Sequence, residues 1–530
     1  MNAFKTRLGV VLAVAVVLTL GLSAAYGTSS GPQSGQVRAG GTLTIGLAED
    51  PDALDPTLAR TFVGRIVFMH LCEKLYDLNS RLQIVPQLAR SLPAVSRDKL
   101  TVTIRLRTGI RFNDGTPFNA QAVKISLDRH RALARSARAS ELSPVASVEV
   151  RNATTVVVRL KEPYPPLTAQ LADRSGMVMS PAALERLGDR FATSPVCVGP
   201  FRFGSRAAGD RIVLNKSPLY YARNRVHLSR IVFRIITDAA ARAASLRAGD
   251  IDIEDRIAST DIRSIARDRD LRIVKSTSIG YQGLTINIGN KNGLGKLPYQ
   301  NVGTPLASRQ NLRQAFDMSI DRRLLNRVVF GGTNLPGCGA VPPVSPWYDR
   351  SIGCNTTRNL TQARRLVSQS GMRTPITVRL MIGTDAVAAR LGQFIQAQAR
   401  EAGFNVILQP TEFVTALAKA DAGDFDVFAV GWSGRIDPDG NIYQFVHTRG
   451  SLNDSGFSSP RLDLILNNAR KASTQRARRT LYRAAMRILR AQRPLIYLWY
   501  PVNRFGVKRS IAGVQVFGDG LIRAQYAGLR

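Results

Sequence analysis

The chain has 530 residues, 44% of them hydrophobic and 21% charged. That length exceeds one core, so about two or three domains are expected, and the composition excludes wholesale disorder. Lys and Arg number 73 against 38 Asp and Glu, a net charge of +35. The excess is mostly Arg and is scattered without a basic tail or dense cluster, which reads as a solvated basic surface favouring anionic partners. No Cys/His finger, RNA-binding signature or interleaving of aromatic and basic residues accompanies it, so no nucleic-acid partner is expected.

At the N-terminus Lys5 and Arg7 precede an apolar run from Leu8 to Leu22, followed by Ser23-Ala24-Ala25. This predicts a signal peptide over residues 1–25, with an uncleaved anchor as the alternative. No Cys follows the run, so no lipoprotein attachment is expected, and the twin-Arg pair is absent. No later stretch approaches a membrane span. The mature chain is expected to be exported, to the periplasm or cell envelope. Residues 26–39 are rich in Gly and Ser and read as a flexible linker.

Gly40-Gly41 opens the alternating strand TLTIGLA, and a helix is predicted from Phe62 to Leu75. KLTVTIRL, TTVVVRL, VCVGPFRF, RIVLNK and RIVFRII read as strands, and Asn113-Asp114-Gly115 as a tight turn. AARAASLRA is a helix stopped by Gly249. Beyond residue 286 the pattern changes. Asn311–Ile320 is helical, Asp321 caps RRLLNRVVF, and Gly331-Gly332 stop it. Then TPITVRLMI, a helix ended by Gly403, FNVILQP, FVTALAKADAG and FDVFAV alternate strand and helix, which predicts βαβ units in a parallel sheet. Further helices lead to the aromatic strand PLIYLWY.

The four cysteines are Cys72, Cys197, Cys338 and Cys354. In an exported chain they suit disulfides. Pairing Cys338 with Cys354 would staple a Pro-rich loop and leave Cys72 with Cys197. No pair has metal-ligand or CxxC spacing.

Catalytic and cofactor motifs fail. GLGK at Gly293–Lys296 lacks the Ser/Thr and spacing of a phosphate loop, and Gly431-Trp432-Ser433-Gly434 has its second Gly one residue early for a nucleophile elbow. The four His show no paired spacing for zinc. Asp437, Asp439 and Asn441 resemble a calcium loop, but Ile442 and Thr448 occupy its Gly and Glu positions. No catalytic residue, metal or cofactor is expected. The constructive signal is the stretch Asp421–His447. Its strand ends at Gly431-Trp432, and the loop that follows, Asp437-Pro438-Asp439-Gly440, lies where open α/β sheets place ligands. Asp437 suits a ligand ammonium, and Trp432 and Tyr443 suit flat apolar walls; as a surface turn the same loop would be ordinary.

Several blocks together resemble the extracytoplasmic solute-binding proteins of ABC importers, family 5, the dipeptide/oligopeptide/nickel group. They are GGTLTIGLAEDPDALDPTLA, the LRTGIRFNDGTP core, VGPFRF and LRQAFDMSIDRRLL, and the similarity runs from about Gly40 to Tyr500. The resemblance implies an α/β fold of two lobes joined by a hinge of two strands, with an extra subdomain on lobe one. Lobe one would be 40–285 with 76–194 inserted, lobe two 286–493, and 494–530 a return to lobe one. It implies a monomer that captures a peptide or other small solute between the lobes and delivers it to a membrane permease. In peptide-binding relatives an acidic residue of the Gly-Trp…Asp-Pro loop holds the ligand amino terminus, and Asp437 matches it. Arg435-Ile436 stand where such relatives often carry small or acidic residues, so the ligand-binding set is Asp437, Trp432, Tyr443 and Arg435. His447 would be the only nearby residue for nickel. The alternative is an exported receptor or chaperone of this fold that binds anionic surfaces through its basic face.

Overall fold

The computed structural model describes residues 37–530. The expected signal peptide, 1–25, and residues 26–36 of the expected linker lie outside the described residues. The linker's last residues are tied down: Arg38 N–H donates to the Leu529 carbonyl at 2.8 Å. No helix among the described residues is long and apolar enough to cross a membrane.

Two large mixed sheets organise the molecule into two lobes. The first has the order Leu271–Thr277, Val502–Lys508, Ile253–Glu254, Thr42–Leu47, Arg230–Ile235, Arg211–Lys216 and Phe201–Ala207. The second has the order Leu335–Pro336, Leu495–Tyr500, Tyr281–Ile286, Val427–Trp432, Ile376–Ile382 and Phe404–Pro410. Within it Ile376–Ile382 pairs in parallel with both Phe404–Pro410 and Val427–Trp432, as the strand–helix alternation predicts. Tyr281–Ile286 and Leu495–Tyr500 add antiparallel partners to that unit. A third sheet, with Thr101–Arg105, Thr155–Leu160 and Val145–Asn152, has its own core around Phe112 and Val156 and is called the subdomain below.

The lobes are joined by a pair of chain segments that stay paired on both sides of the junction. Leu271–Thr277 lies antiparallel to Val502–Lys508 in the first sheet, and Tyr281–Ile286 antiparallel to Leu495–Tyr500 in the second. The chain therefore changes sheet at Ser278–Gly280 and at Pro501, earlier on the way out and later on the way back than the expected limits of 286 and 494. The apolar residues of LIYLWY and of YQGLTI are buried in the second lobe, and this burial fixes where the crossing falls.

Local signals hold well where caps are strong. Asp321 accepts from Leu324 N–H at 2.8 Å and opens the helix Arg322–Phe330, which Gly331 ends at φ 58°. The helix that starts at Phe62 stops at Leu71, four residues before the predicted end, because Cys72 turns extended and is bonded to Cys197. VCVGPFRF becomes a strand only from Phe201 onward. Cys338 is bonded to Cys354, a sequence separation of 16. The double variant Cys338→Ser/Cys354→Ser is expected to lose about 3 kcal/mol in denaturant unfolding, the loop-closure entropy of a ring of that size.

Candidate functional site

The strand Val427–Trp432 delivers its following loop onto the hinge. Gly434 sits at φ +83°, and a Cβ there would lie 2.4 Å from the Ile279 carbonyl. A Cβ on Gly280 would lie 2.0 Å from the Trp432 carbonyl oxygen. Only glycine allows this contact from both sides. The Asp437-Pro438-Asp439-Gly440 stretch is not the surface loop its composition suggests. Asp437 Oδ1 accepts from the Asp439 N–H at 2.9 Å, and a helix runs over Asp439–Val446.

The predicted binding residues separate into two groups. Asp437, 6% exposed, is held by Arg478: Nη1 and Nη2 each donate to one carboxylate oxygen at 2.7 Å. Arg478 also lies under Trp347, at 4.7 Å from its ring centre, so the disulfide-stapled loop helps cover the pair. Burial lowers the Arg478 pKa, but Asp437 outweighs it and the net shift is upward. Asp439, 1% exposed, takes Nε and Nη2 of Arg470 at 2.7 and 3.0 Å. The Tyr443 ring faces the Arg470 guanidinium at 3.1 Å on one side and stacks on His447 at 4.2 Å. Trp432 is buried, donates Nε1–H to Asn441 Oδ1 at 3.1 Å, and has the Arg435 guanidinium 4.2 Å from its ring centre. Asp437, Trp432 and Tyr443 are thus buried against partners of the second lobe, and Arg435 is the member of the set that lines the space between the lobes.

That space is a cavity of about 20 Å³. Its walls come from every part of the fold: Arg65 on the helix Phe62–Leu71, Asp173 from the subdomain, Ile279 at the hinge, Arg435 and Ile436 from the second lobe, and Asp519 from the C-terminal return. Asp173 is the charge centre. Arg65 Nη2 lies 2.7 Å and Arg435 Nε 3.0 Å from its Oδ2, and Arg65 Nη1 donates to Ser433 Oγ at 2.9 Å across the lobes. Burial pushes the Asp173 carboxyl up, but Arg435, Arg65 and Arg174 hold it well below the usual carboxylate range. Burial lowers Arg435 to about 9. The expectation of a solvated basic surface therefore fails for these arginines; Arg138 and Arg174 are among the largest fully buried side chains.

Other contacts join the two lobes. Arg60 of the first lobe pairs with Asp421 of the second at 2.6 Å, and Ser140 Oγ lies 2.7 Å from Ser451 Oγ. Asp439 also accepts from Tyr164 Oη at 3.2 Å and Gln170 Nε2 at 3.1 Å, both of the subdomain. Asp454, beside Arg60 at 3.8 Å, is pushed up to about 7 by burial, against the pull of Arg60. An exposed Asp ionises from about pH 4, so burial of this one opposes the folded, closed form increasingly as pH rises from about 4 to about 7, and fully above that. Asp454→Asn removes the titrating group. Its thermal stability relative to wild type is expected to improve from about pH 4 to about pH 7 and to level off above that; a constant difference across that range would assign the titration elsewhere.

Arg65 and Asp173 were missed at the sequence level. Arg65 did carry a signal, because it is the one charged residue inside the apolar run FVGRIVFM. Asp173 had none, since its neighbours form a short irregular segment.

The model of the bacterial extracellular solute-binding proteins, family 5, matches residues 83–453. The chain belongs to that family. It is therefore a bacterial extracellular solute-binding protein. The glutathione-binding protein GsiB of Pectobacterium atrosepticum is 26% identical over 525 residues, 95% of this chain and 97% of that protein. GsiB of Escherichia coli K12 is 26% identical over 480 residues, 87% and 88% of the two chains. Among solved structures, the oligopeptide-binding protein AppA of Bacillus subtilis, in complex with a nonapeptide, superposes with TM-score 0.84 at 20% identity, over 93% of this chain and 100% of AppA. The binding protein AgaA of A. tumefaciens R10, in complex with agropinic acid, gives 0.82 at 24% identity, over 92% and 99%. These structures share the two-lobed fold.

Proposed function

We propose that this member of the family captures a peptide-like solute in the interlobe cavity around Asp173, Arg65 and Arg435, and hands it to an ABC permease. The carrying observation is that both lobes, the subdomain, the hinge and the C-terminal return each place a residue on that one cavity. A site assembled in this way exists only when the lobes meet, which is what a hinge-closing receptor needs. The relatives named for glutathione and the structure holding a nonapeptide support a peptide-like class. The space of about 20 Å³ is close to the volume of a water or two. A solute therefore enters with the hinge open, and its polar groups replace contacts that Arg65 and Arg435 make in the closed form.

In this reading the chain works as an exported monomer, with or without a retained N-terminal anchor, and has no nucleic-acid partner and no catalytic step. Burial of arginines in the cleft uses part of the basic excess inside the molecule, which weakens the alternative of an anionic-surface binder. Native mass spectrometry of protein purified without refolding tests the reading. A small-molecule adduct is expected, and it should be lost when Arg65 is replaced by alanine. An adduct indifferent to Arg65 would place the solute elsewhere.

A further inference from the structure

The charges around the cavity do not balance. Arg65, Arg138, Arg174 and Arg435 act on one another and on two carboxylates, Asp173 and Glu141. Glu141 is already engaged by Arg138 Nη1 at 2.7 Å and by the Ser175 hydroxyl. Asp173 alone faces three guanidiniums, Arg65 at 2.7 Å, Arg435 at 3.0 Å and Arg174 at 3.4 Å. The other charged groups on the cavity wall are matched: Lys74 by Asp77 at 2.6 Å, and Asp519 by Arg523 at 2.6 Å. The positive excess therefore belongs to the arginine side.

Donor geometry gives an independent observation. Arg435 is 4% exposed, and its one side-chain hydrogen bond runs from Nη1 to the Gly434 carbonyl at 2.8 Å. Its Nε and Nη2 have no hydrogen-bond partner; the 3.0 Å approach of Nε to Asp173 is a charge contact without a directed N–H. Arg174, fully buried nearby, donates Nη1 to the Ala59 carbonyl at 2.6 Å; its Nε and Nη2 have no hydrogen-bond partner, Nε making only a charge contact to Asp173 at 3.4 Å. Arg65 Nε is unpartnered too. Nε and Nη2 form the side of a guanidinium that takes both oxygens of a carboxylate or two of a phosphate. Buried charged donors without partners are costly, and a ligand that supplies acceptors recovers that cost. Trp432 behind the Arg435 guanidinium and Gly434 on the hinge hold the fork in place.

We propose that Arg435, with Arg65 and Arg174 gathered at the same Asp173, forms an anion-binding subsite, and that the solute is an acidic peptide-like molecule whose carboxylate this subsite takes. The inference rests on the interlobe cavity being the solute site. Where an acidic loop residue would select a ligand ammonium, Arg435 reverses the selection. Arg435 is thus the specificity-determining residue.

Calorimetry with triglutamate, trialanine and inorganic phosphate on wild type, Arg435→Gln and Arg435→Lys tests it. Triglutamate should bind wild type about 10-fold or more tighter than trialanine, and Arg435→Gln should weaken triglutamate about 30-fold while changing trialanine little. Arg435→Lys, which keeps the charge and loses the fork, should fall between. If thermal melting shows Arg435→Gln to be unfolded, Arg435→Lys and the wild-type panel decide the question together. Phosphate binding that disappears in Arg435→Gln, with neither peptide bound, would uphold the anion subsite and overturn the peptide-like class. Trialanine bound as tightly as triglutamate, with Arg435→Gln unaffected, would overturn the anion proposal and leave the cleft reading standing. No binding of any probe would overturn the cleft reading itself.

Discussion

Asp437→Ala is expected to unfold the second lobe early rather than to leave an intact protein with an empty site. The substitution strips Arg478 of both acceptors at 2.7 Å and leaves a guanidinium buried beneath Trp347. Removing one partner of a buried pair costs about 3–5 kcal/mol, because the remaining charge stays desolvated. It also removes the acceptor for the Asp439 N–H, which starts the helix Asp439–Val446. Denaturant unfolding followed by tryptophan fluorescence should show the loss. Arg478→Met in the Asp437→Ala background should restore much of it, since no unpaired charge is then left. A stable Asp437→Ala protein that has lost solute binding would instead return Asp437 to the role of ligand contact.

Asp439→Asn should act on closure more than on folding of either lobe. Its two oxygens serve Arg470 within the second lobe and Tyr164 and Gln170 across the interface. An amide keeps the shape and one acceptor but loses the charge that holds Arg470, whose own donors also reach the Ser140 carbonyl at 3.1 Å and Ser143 Oγ at 3.1 Å. Loss of a charge-assisted network of this kind costs about 2–3 kcal/mol or more, most of it in the closed form, where those partners meet. A shift of that size moves a two-state equilibrium by about 30- to 150-fold. Small-angle scattering should then record a larger radius of gyration for the variant than for wild type in the same buffer. An unchanged radius with a lowered melting point would show that Asp439 supports the second lobe alone.

Elements bounded by strong caps and glycines were legible in the sequence. FNVILQP became Phe404–Pro410, and the helix from Phe413 stops at Gly423, φ +81°. Such signals are local, so tertiary context seldom moves them. The hinge was displaced because apolar patterning shows that a strand is buried but not in which sheet; Tyr281–Ile286 fits either lobe until its partners are known. For the same reason the acidic turn misled. Asp437 and Asp439 carry a surface-turn composition, and the arginines that bury them lie 41 and 31 residues further along. Arg435 stood out by its place in the loop, whereas Asp173 and Arg174 become meaningful only once three separate segments converge. Composition hid this too, because a scattered arginine excess gives no hint of which guanidiniums are interior.

The lock on the lobes gives the most direct measurement of the central claim, that the solute is held between them. The hydroxyls of Ser140 and Ser451 approach to 2.7 Å between the subdomain and the second lobe. In the oxidised double variant Ser140→Cys/Ser451→Cys the lobes cannot part, while each single variant can still open. Native mass spectrometry after prolonged dialysis should find a small-molecule adduct kept on the cross-linked protein and lost from both single variants. An adduct leaving all three at the same rate would contradict capture in the interlobe cavity.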